Sequence, residues 1–198
     1  MAFTPLDPAT ARAMPWKNGG GTTLELAISP VGASLDDFAW RISSAQVALD
    51  GAFSSFPGVD RSLAVLAGNG LHLQRQNGQR QTLISGGAAV AFDGEEAISA
   101  HLQDGPITDL NLMTRRGAWN HELRSLWLDG EQTLRIDAEA LLLWNTTSHS
   151  VRYQISEGDR QVLPAHSGVL LENEQGPLKL GCDHPSRLYV GRLCKGSA

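Results

Sequence analysis

Apolar and polar positions alternate along this chain in short runs, and turn residues cut the runs at regular intervals. Residues 38–47 alternate through Trp40, Ile42 and Ser44, which is the period of a half-buried strand. A short apolar run at 63–66 stops at Gly68-Asn69-Gly70. Residues 71–74 alternate again and end at Asn77-Gly78, after which 81–84 resumes the pattern. Asn-Gly between two alternating segments predicts a hairpin, because both central turn positions need positive φ. Strands are expected next at 88–92, closed by Asp93-Gly94, and at 97–102. Turn signals spaced by about ten residues are those of an antiparallel sandwich or barrel.

The second half repeats the style. Segment 123–128 ends at Asp129-Gly130, 133–136 follows, and the continuous apolar run 140–144 reads as a buried strand. Further strands are expected at 151–155, 168–171, 178–180 and 187–193. Segments 83–91 and 163–171 lie 80 residues apart, and each runs from a leucine through small residues into a short apolar strand. That echo points to two β halves in one chain. The junction is expected near 115–120, where Arg115-Arg116-Gly117-Ala118 breaks the rhythm, giving units of 1–115 and 116–198. No low-complexity linker separates them, so they are expected to pack as one unit, with strands free to be exchanged.

Composition narrows the class. The 198 residues are 41% hydrophobic and 19% charged, which excludes a disordered segment and a coiled coil. A formal net charge of −5 argues against a general nucleic-acid binder, which needs a basic face to displace counterions. With 21 glycines and 9 prolines the chain suits many short strands. Cys182 and Cys194 have no framework spacing and read as reduced and incidental, which fits a cytoplasmic protein. No apolar stretch approaches a membrane span, and no leader pattern opens the chain.

Three segments could carry chemistry. In residues 15–25, Gly19-Gly20-Gly21 would let the backbone approach a ligand or form an anion-binding nest. Lys17 would add charge there, and Asn18 and Thr22 hydrogen bonds. The lysine precedes the glycines, so this is no P-loop, and a tight turn before an edge strand with Trp16 as core is the plain alternative. In residues 53–61, Phe53, Phe56, Pro57-Gly58 and the pair Asp60-Arg61 could form a pocket wall bearing one cation. An arginine can hold a carboxylate through two parallel charge-assisted hydrogen bonds. A surface Asp-Arg pair beside a turn is the alternative. In residues 109–115, Asp109, Asn111, Met113 and Arg115 alternate with leucines and would form one polar row.

Metal and nucleophile readings fare poorly. The histidines His72, His101, His121, His149, His166 and His184 are scattered singly, and Cys182-x-His184 offers too few ligands for a structural zinc. There is no Gly-x-Ser-x-Gly elbow and no paired Cys–His signature.

Taken together, residues 15–22, 38–43, 53–61, 92–95 and 109–115 resemble the HutD/Ves family of bacterial cupin-like proteins. The resemblance implies an all-β bicupin, two jelly-roll barrels in one chain with few short helices. It implies a role in histidine utilisation, as a governor that tunes the pathway without catalysing a step. A small carboxylate such as urocanate or formylglutamate is the expected ligand, with no cofactor, and a homodimer is expected. Metal-dependent cupins carry a His-x-His pair where this chain reads Gly58-Val59-Asp60-Arg61-Ser62-Leu63, so no metal is expected. Arg61 then becomes the principal ligand residue beside Asp60, with Arg41 and Lys17 as further cations and Trp16 and Phe56 as flat walls. Asn18, Thr22, Asn111 and Thr114 would orient the ligand. Two other functions compete: a metal-free isomerase or epimerase, for which the tyrosines Tyr153 and Tyr189 are available, and an interaction protein with a closed barrel.

Overall fold

The computed structural model describes residues 2–16 and 20–196. Strands β1 (Ala2–Leu6), β2 (Arg12–Pro15) and β3 (Gly21–Ser29) come first. Eight strands follow: β4 (Trp40–Val47), β5 (Gly51–Ala52), β6 (Val59–Ala67), β7 (Leu71–Arg75), β8 (Arg80–Leu83), β9 (Val90–Asp93), β10 (Ile98–Leu102) and β11 (Ile107–Arg115). Then come β12 (Trp119–Leu128), β13 (Glu131–Ile136), β14 (Ala140–Asn145), β15 (Val151–Ile155), β16 (Gln161–Leu163), β17 (Gly168–Glu172), β18 (Gly176–Gly181) and β19 (Ser186–Lys195). The few short helices expected are absent among the described residues, and no helix there is long and apolar enough to cross a membrane. Turn residues interrupt the chain too often for a helical nucleus to propagate.

Both sets of eight strands have one order. In the first, β4-β11-β6-β9 forms one sheet and β5-β10-β7-β8 the other. In the second, β12-β19-β14-β17 and β13-β18-β15-β16 repeat that order strand for strand. Counted within each set, the orders are first-eighth-third-sixth and second-seventh-fourth-fifth, the two Greek keys of a jelly roll. Leu83 closes β8 and Leu163 closes β16, so the echo between 83–91 and 163–171 falls on equivalent strands. The hairpin at Asn77-Gly78 joins β7 to β8, with Gly78 at φ 83° and its amide donating to the Arg75 carbonyl at 3.0 Å.

The chain divides into two compact units. The N-terminal unit comprises Pro8–His121 with Gly196, and the C-terminal unit residues 2–7 with Glu122–Lys195. This differs from a division at 115/116. The boundary lies within β12, and β1 pairs with β17 from Ala2 opposite Glu172 to Leu6 opposite Gly168.

The C-terminal unit has an apolar interior. Leu141, Leu143, Val169, Leu171, Leu188 and Val190 of its larger sheet pack with Val151, Tyr153, Leu178 and Leu180 of the smaller one. Burying each such side chain stabilises the fold by about 1.5–3 kcal/mol. Cys182 joins this core as a free thiol, and Cys194 is also free. The N-terminal unit packs Leu63, Val65, Leu71, Leu73, Ile98 and Ile107 between its sheets in the same way. Its larger sheet gains β2 and β3 alongside β4, and the inner face there is polar.

Candidate ligand-binding site

The polar inner face follows from strand register. On the neighbouring strands β4, β11 and β6, Arg41, Met113 and Arg61 stand abreast, with Phe92 of β9 beside Arg61. The next row holds Glu25, Ser43, Asn111 and Leu63, and the row beyond it Thr23, Ala45, Asp109 and Val65. Because side chains alternate across a strand, these rows share one face. Arg41, Met113 and Arg61 of the first row, Ser43 and Asn111 of the second, and Thr23, Ala45 and Asp109 of the third line a cavity of about 640 Å³ in the N-terminal unit, together with Trp16, Phe53, Phe56 and, at its margin, Leu35 and Leu49. Leu35 and Leu49 are 44% and 59% exposed.

Arg61 dominates the cavity's electrostatics. Its residue is 4% exposed, and among the described residues no carboxylate lies within ion-pair distance of it. One terminal nitrogen donates to the Ser54 carbonyl at 3.1 Å, while Nε is buried with no acceptor among the described residues. The guanidinium carbon sits 5.1 Å from the Phe53 and Phe92 ring centres and 5.4 Å from that of Phe56. Cation–π attraction offsets some of the lost hydration. Burial nonetheless pulls the guanidinium down to about 10; Asp109 opposes that shift and Arg41 adds to it.

Arg41 differs in being neutralised. Its Nε donates to Glu25 Oε2 at 2.9 Å, and a terminal nitrogen reaches Ser43 Oγ at 3.4 Å. Asn111 presents a buried Oδ1 with no donor among the described residues. Trp16 is pinned across the entrance strand by its indole N–H, which donates to Thr23 Oγ1 at 2.8 Å. A side chain at Gly21 would collide with the Gln46 carbonyl and the Trp16 ring, so the glycine is what lets the indole lie there. Asp109 is 2% exposed, and its Oδ1 accepts the Ala45 amide at 3.0 Å. Burial raises its carboxyl to about 7, against the pull of that amide and of Arg61.

Of the ten residues singled out from the sequence, Arg61, Arg41, Trp16, Phe56 and Asn111 line this cavity. Lys17 and Asn18 lie outside the described residues. The other three are corrected by alternation. Thr22 does not line the cavity; its neighbour Thr23 does. Asp60 turns away from Arg61 and pairs with Arg116 at 2.7 Å. Thr114 is buried away from the cavity, where its Oγ1 lies 2.7 Å from His121 Nδ1 and His121 Nε2 lies 2.9 Å from Ser62 Oγ. Burial pushes the His121 imidazole down to about 4, against the opposing pull of the Asp60 carboxylate. Of the lining residues, Ser43 was not singled out as a candidate, while Phe53 and Asp109 stood in segments already marked without being assigned to the ligand. Glu25, the last residue of the first marked segment, acts on the site through its ion pair with Arg41, and period-two alternation applied strictly to 109–115 separates Asp109 from Thr114.

Gly94 sets the loop that carries two of the rings. Its amide donates to the Val59 carbonyl at 2.6 Å, and its carbonyl accepts the Phe56 amide at 2.8 Å. A Cβ at Gly94 would stand 2.5 Å from the Phe56 carbonyl oxygen and 2.8 Å from that of Val59. Gly94→Ala is therefore expected to destabilise the protein by about 2–3 kcal/mol in urea unfolding. An unchanged midpoint would contradict that packing.

The polar cavity and the paired jelly rolls can be set beside known proteins. The HutD family model matches residues 8–190. A Pseudomonas putida protein described only by its position in the hutC 3′ region is 38% identical over 149 residues, covering 75% of each chain. Protein Ves of Escherichia fergusonii is 31% identical over 171 residues, which are 74% of this chain and 87% of that protein. Among solved structures, a conserved protein of unknown function from Pseudomonas aeruginosa PAO1 has a TM-score of 0.89 at 32% identity and covers 98% of this chain and all of its own (100%). HutD from Pseudomonas fluorescens SBW25, solved in a formate condition, has a TM-score of 0.82 at 28% identity, covering 99% and 100%. Salicylate 1,2-dioxygenase from Pseudoaminobacter salicylatoxidans, at 8% identity and a TM-score of 0.61 over 89% and 74%, shares the cupin-like fold alone. With a matching model over most of its length and relatives of this similarity, the chain belongs to the HutD family.

Proposed function

We propose that the N-terminal cavity binds a small carboxylate metabolite, and that the protein acts as a non-catalytic governor of histidine utilisation. Arg61 carries this reading: a buried cation with no carboxylate partner among the described residues and an unused Nε faces a cavity of metabolite size. A carboxylate supplies the missing counter-charge and accepts the unused N–H. Asn111, Ser43 and Trp16 provide polar and flat apolar contacts beside it. Urocanate and formylglutamate are the candidates that family membership suggests.

The competing readings have less support. An interaction protein with a closed barrel would have Arg61 paired to the protein and no cavity. An isomerase drawing on Tyr153 or Tyr189 would need them in the open site, yet both are buried within the C-terminal unit. Burial pushes the Tyr189 phenol up to about 12.

Thermal unfolding against histidine, urocanate, formylglutamate, glutamate and formate tests the proposal. A compound at 100 times its Kd adds about 2.7 kcal/mol to the folded state. For a chain of this size the midpoint is then expected to rise by roughly 5–11 °C with one carboxylate. No shift with any of the five would overturn it, and turnover of one of them would replace the governor by an enzyme.

A further inference from the structure

The cavity contains a second buried charge that carboxylate binding alone leaves unexplained. Asp109 stands two rows from Arg61 along β11, and a row spans about 7 Å, so the two side chains share the cavity without pairing. One Asp109 oxygen is held by the Ala45 amide; among the described residues the other takes no hydrogen bond. Among the described residues the charged groups around it are few. Arg61 faces it from β6, and Arg41 on β4 is neutralised by Glu25 of β3. At the mouth lies Asp50, kept ionised by the Leu102 amide first and then by His101, whose Nδ1 is 3.1 Å away.

Counting the interior groups decides the matter. Among the described residues, with Asp109 ionised, Arg41 and Arg61 balance Glu25 and Asp109. A carboxylate added to that set leaves one uncompensated negative charge in a largely desolvated space, which is expensive. One proton on Asp109 restores neutrality and turns an acceptor into a donor facing the anion. We propose that Asp109 is a ligand-site acid that takes up a proton when a carboxylate binds beside Arg61, so that occupancy of the site is coupled to pH. The inference rests on the carboxylate reading above. It adds a residue to the site and a proton to the binding reaction, which is Asp–COO⁻ plus carboxylate plus H⁺ giving Asp–COOH with the carboxylate bound.

Formate is the probe, because it stays ionised and carries no other titrating group between pH 5.5 and 8.5. Binding is followed by Trp fluorescence, and the Asp109 carboxyl by ¹³C NMR. In the wild type, the Kd for formate is expected to be about tenfold weaker at pH 8.5 than at pH 5.5, and saturating formate to raise the Asp109 titration midpoint. Asp109→Asn should bind formate with a Kd that varies little over the same range. A wild-type Kd independent of pH, or a pH dependence that survives in Asp109→Asn, would overturn the proton coupling and leave the carboxylate reading standing. Should the variant not fold, an Asp109 midpoint in the wild type that formate does not move would overturn it equally. No saturable binding of formate, urocanate or formylglutamate at any pH would overturn both.

Discussion

Arg61→Met is expected to stabilise the protein while abolishing carboxylate binding. Two opposed quantities set the sign. Holding the guanidinium in the cavity pulls it down from its ordinary value to about 10, which corresponds to about 3 kcal/mol of unfavourable burial. Its contacts with Phe53, Phe56 and Phe92 recover part of what burial costs, and methionine keeps much of that by placing a polarisable thioether against the same rings. No ion pair is lost, because among the described residues Arg61 has none, and the one hydrogen bond that goes is the donation to the Ser54 carbonyl. The net gain is expected to be about 1–2 kcal/mol, or roughly 2–8 °C in unfolding midpoint. Binding moves the other way. Removing one member of a buried charge pair costs about 2–5 kcal/mol, so affinity for the bound carboxylate should fall by roughly 30-fold to several thousand-fold. Thermal unfolding with and without the carboxylate reads both effects in one series. Arg61→Lys, which keeps the charge but lacks the planar fork, should fall between. A methionine variant that is less stable and still binds would remove Arg61 from its assigned role.

This opposition explains why the site was only half legible in the sequence. The strands were readable because their alternation and turn residues are local, and so was the repeated style of the two halves. Burial of Arg61 is not local. Residues 58–61 look like a turn followed by a charged pair, yet β6 begins at Val59 and carries Asp60 and Arg61 to opposite faces. Asp60 then meets Arg116, which is 56 positions further along and could not be inferred from spacing. Strand β3, which lies between β2 and β4, was masked by the glycine run before it. It brings Glu25 to Arg41, and so settles which of the two cavity arginines is left without a partner. Asp109 and Asn111 were legible as a polar row, but which neighbours they would face depended on the register of β4, β11 and β6.

Between pH 4.5 and 6.5 the wild-type protein is expected to show a nearly flat stability, made of two slopes that oppose each other. The carboxyl of Asp109 is raised from 3.8 to about 7 in the folded state. A raised acid binds more protons folded than unfolded, so its contribution is present below pH 3.8 and is lost as pH rises towards 7. The His121 imidazole is lowered from 6.5 to about 4. A lowered base binds fewer protons folded, so its contribution is present above pH 6.5 and is lost as pH falls towards 4. The full shifts correspond to about 4 kcal/mol for Asp109 and about 3 for His121, the latter reduced by the part of His121 that stays accessible. Their windows overlap almost completely, and the slopes nearly cancel. Single variants should expose them. His121→Gln is expected to be about 2 kcal/mol more stable at pH 4.5 than at pH 6.5, and Asp109→Asn about 2 kcal/mol less stable at pH 4.5 than at 6.5. Urea midpoints in buffers free of carboxylate would measure this. The lower limit of 4.5 keeps clear of the exposed carboxylates Asp37, Asp50, Glu95 and Asp183 and of the half-buried Glu96, whose lowered values make them respond in stronger acid. Two variants that both retain the flat profile would show that neither burial acts on stability as argued. Opposite slopes would mean that the acid facing the cavity and the histidine on the far side of the same sheet hold the protein's pH tolerance between them.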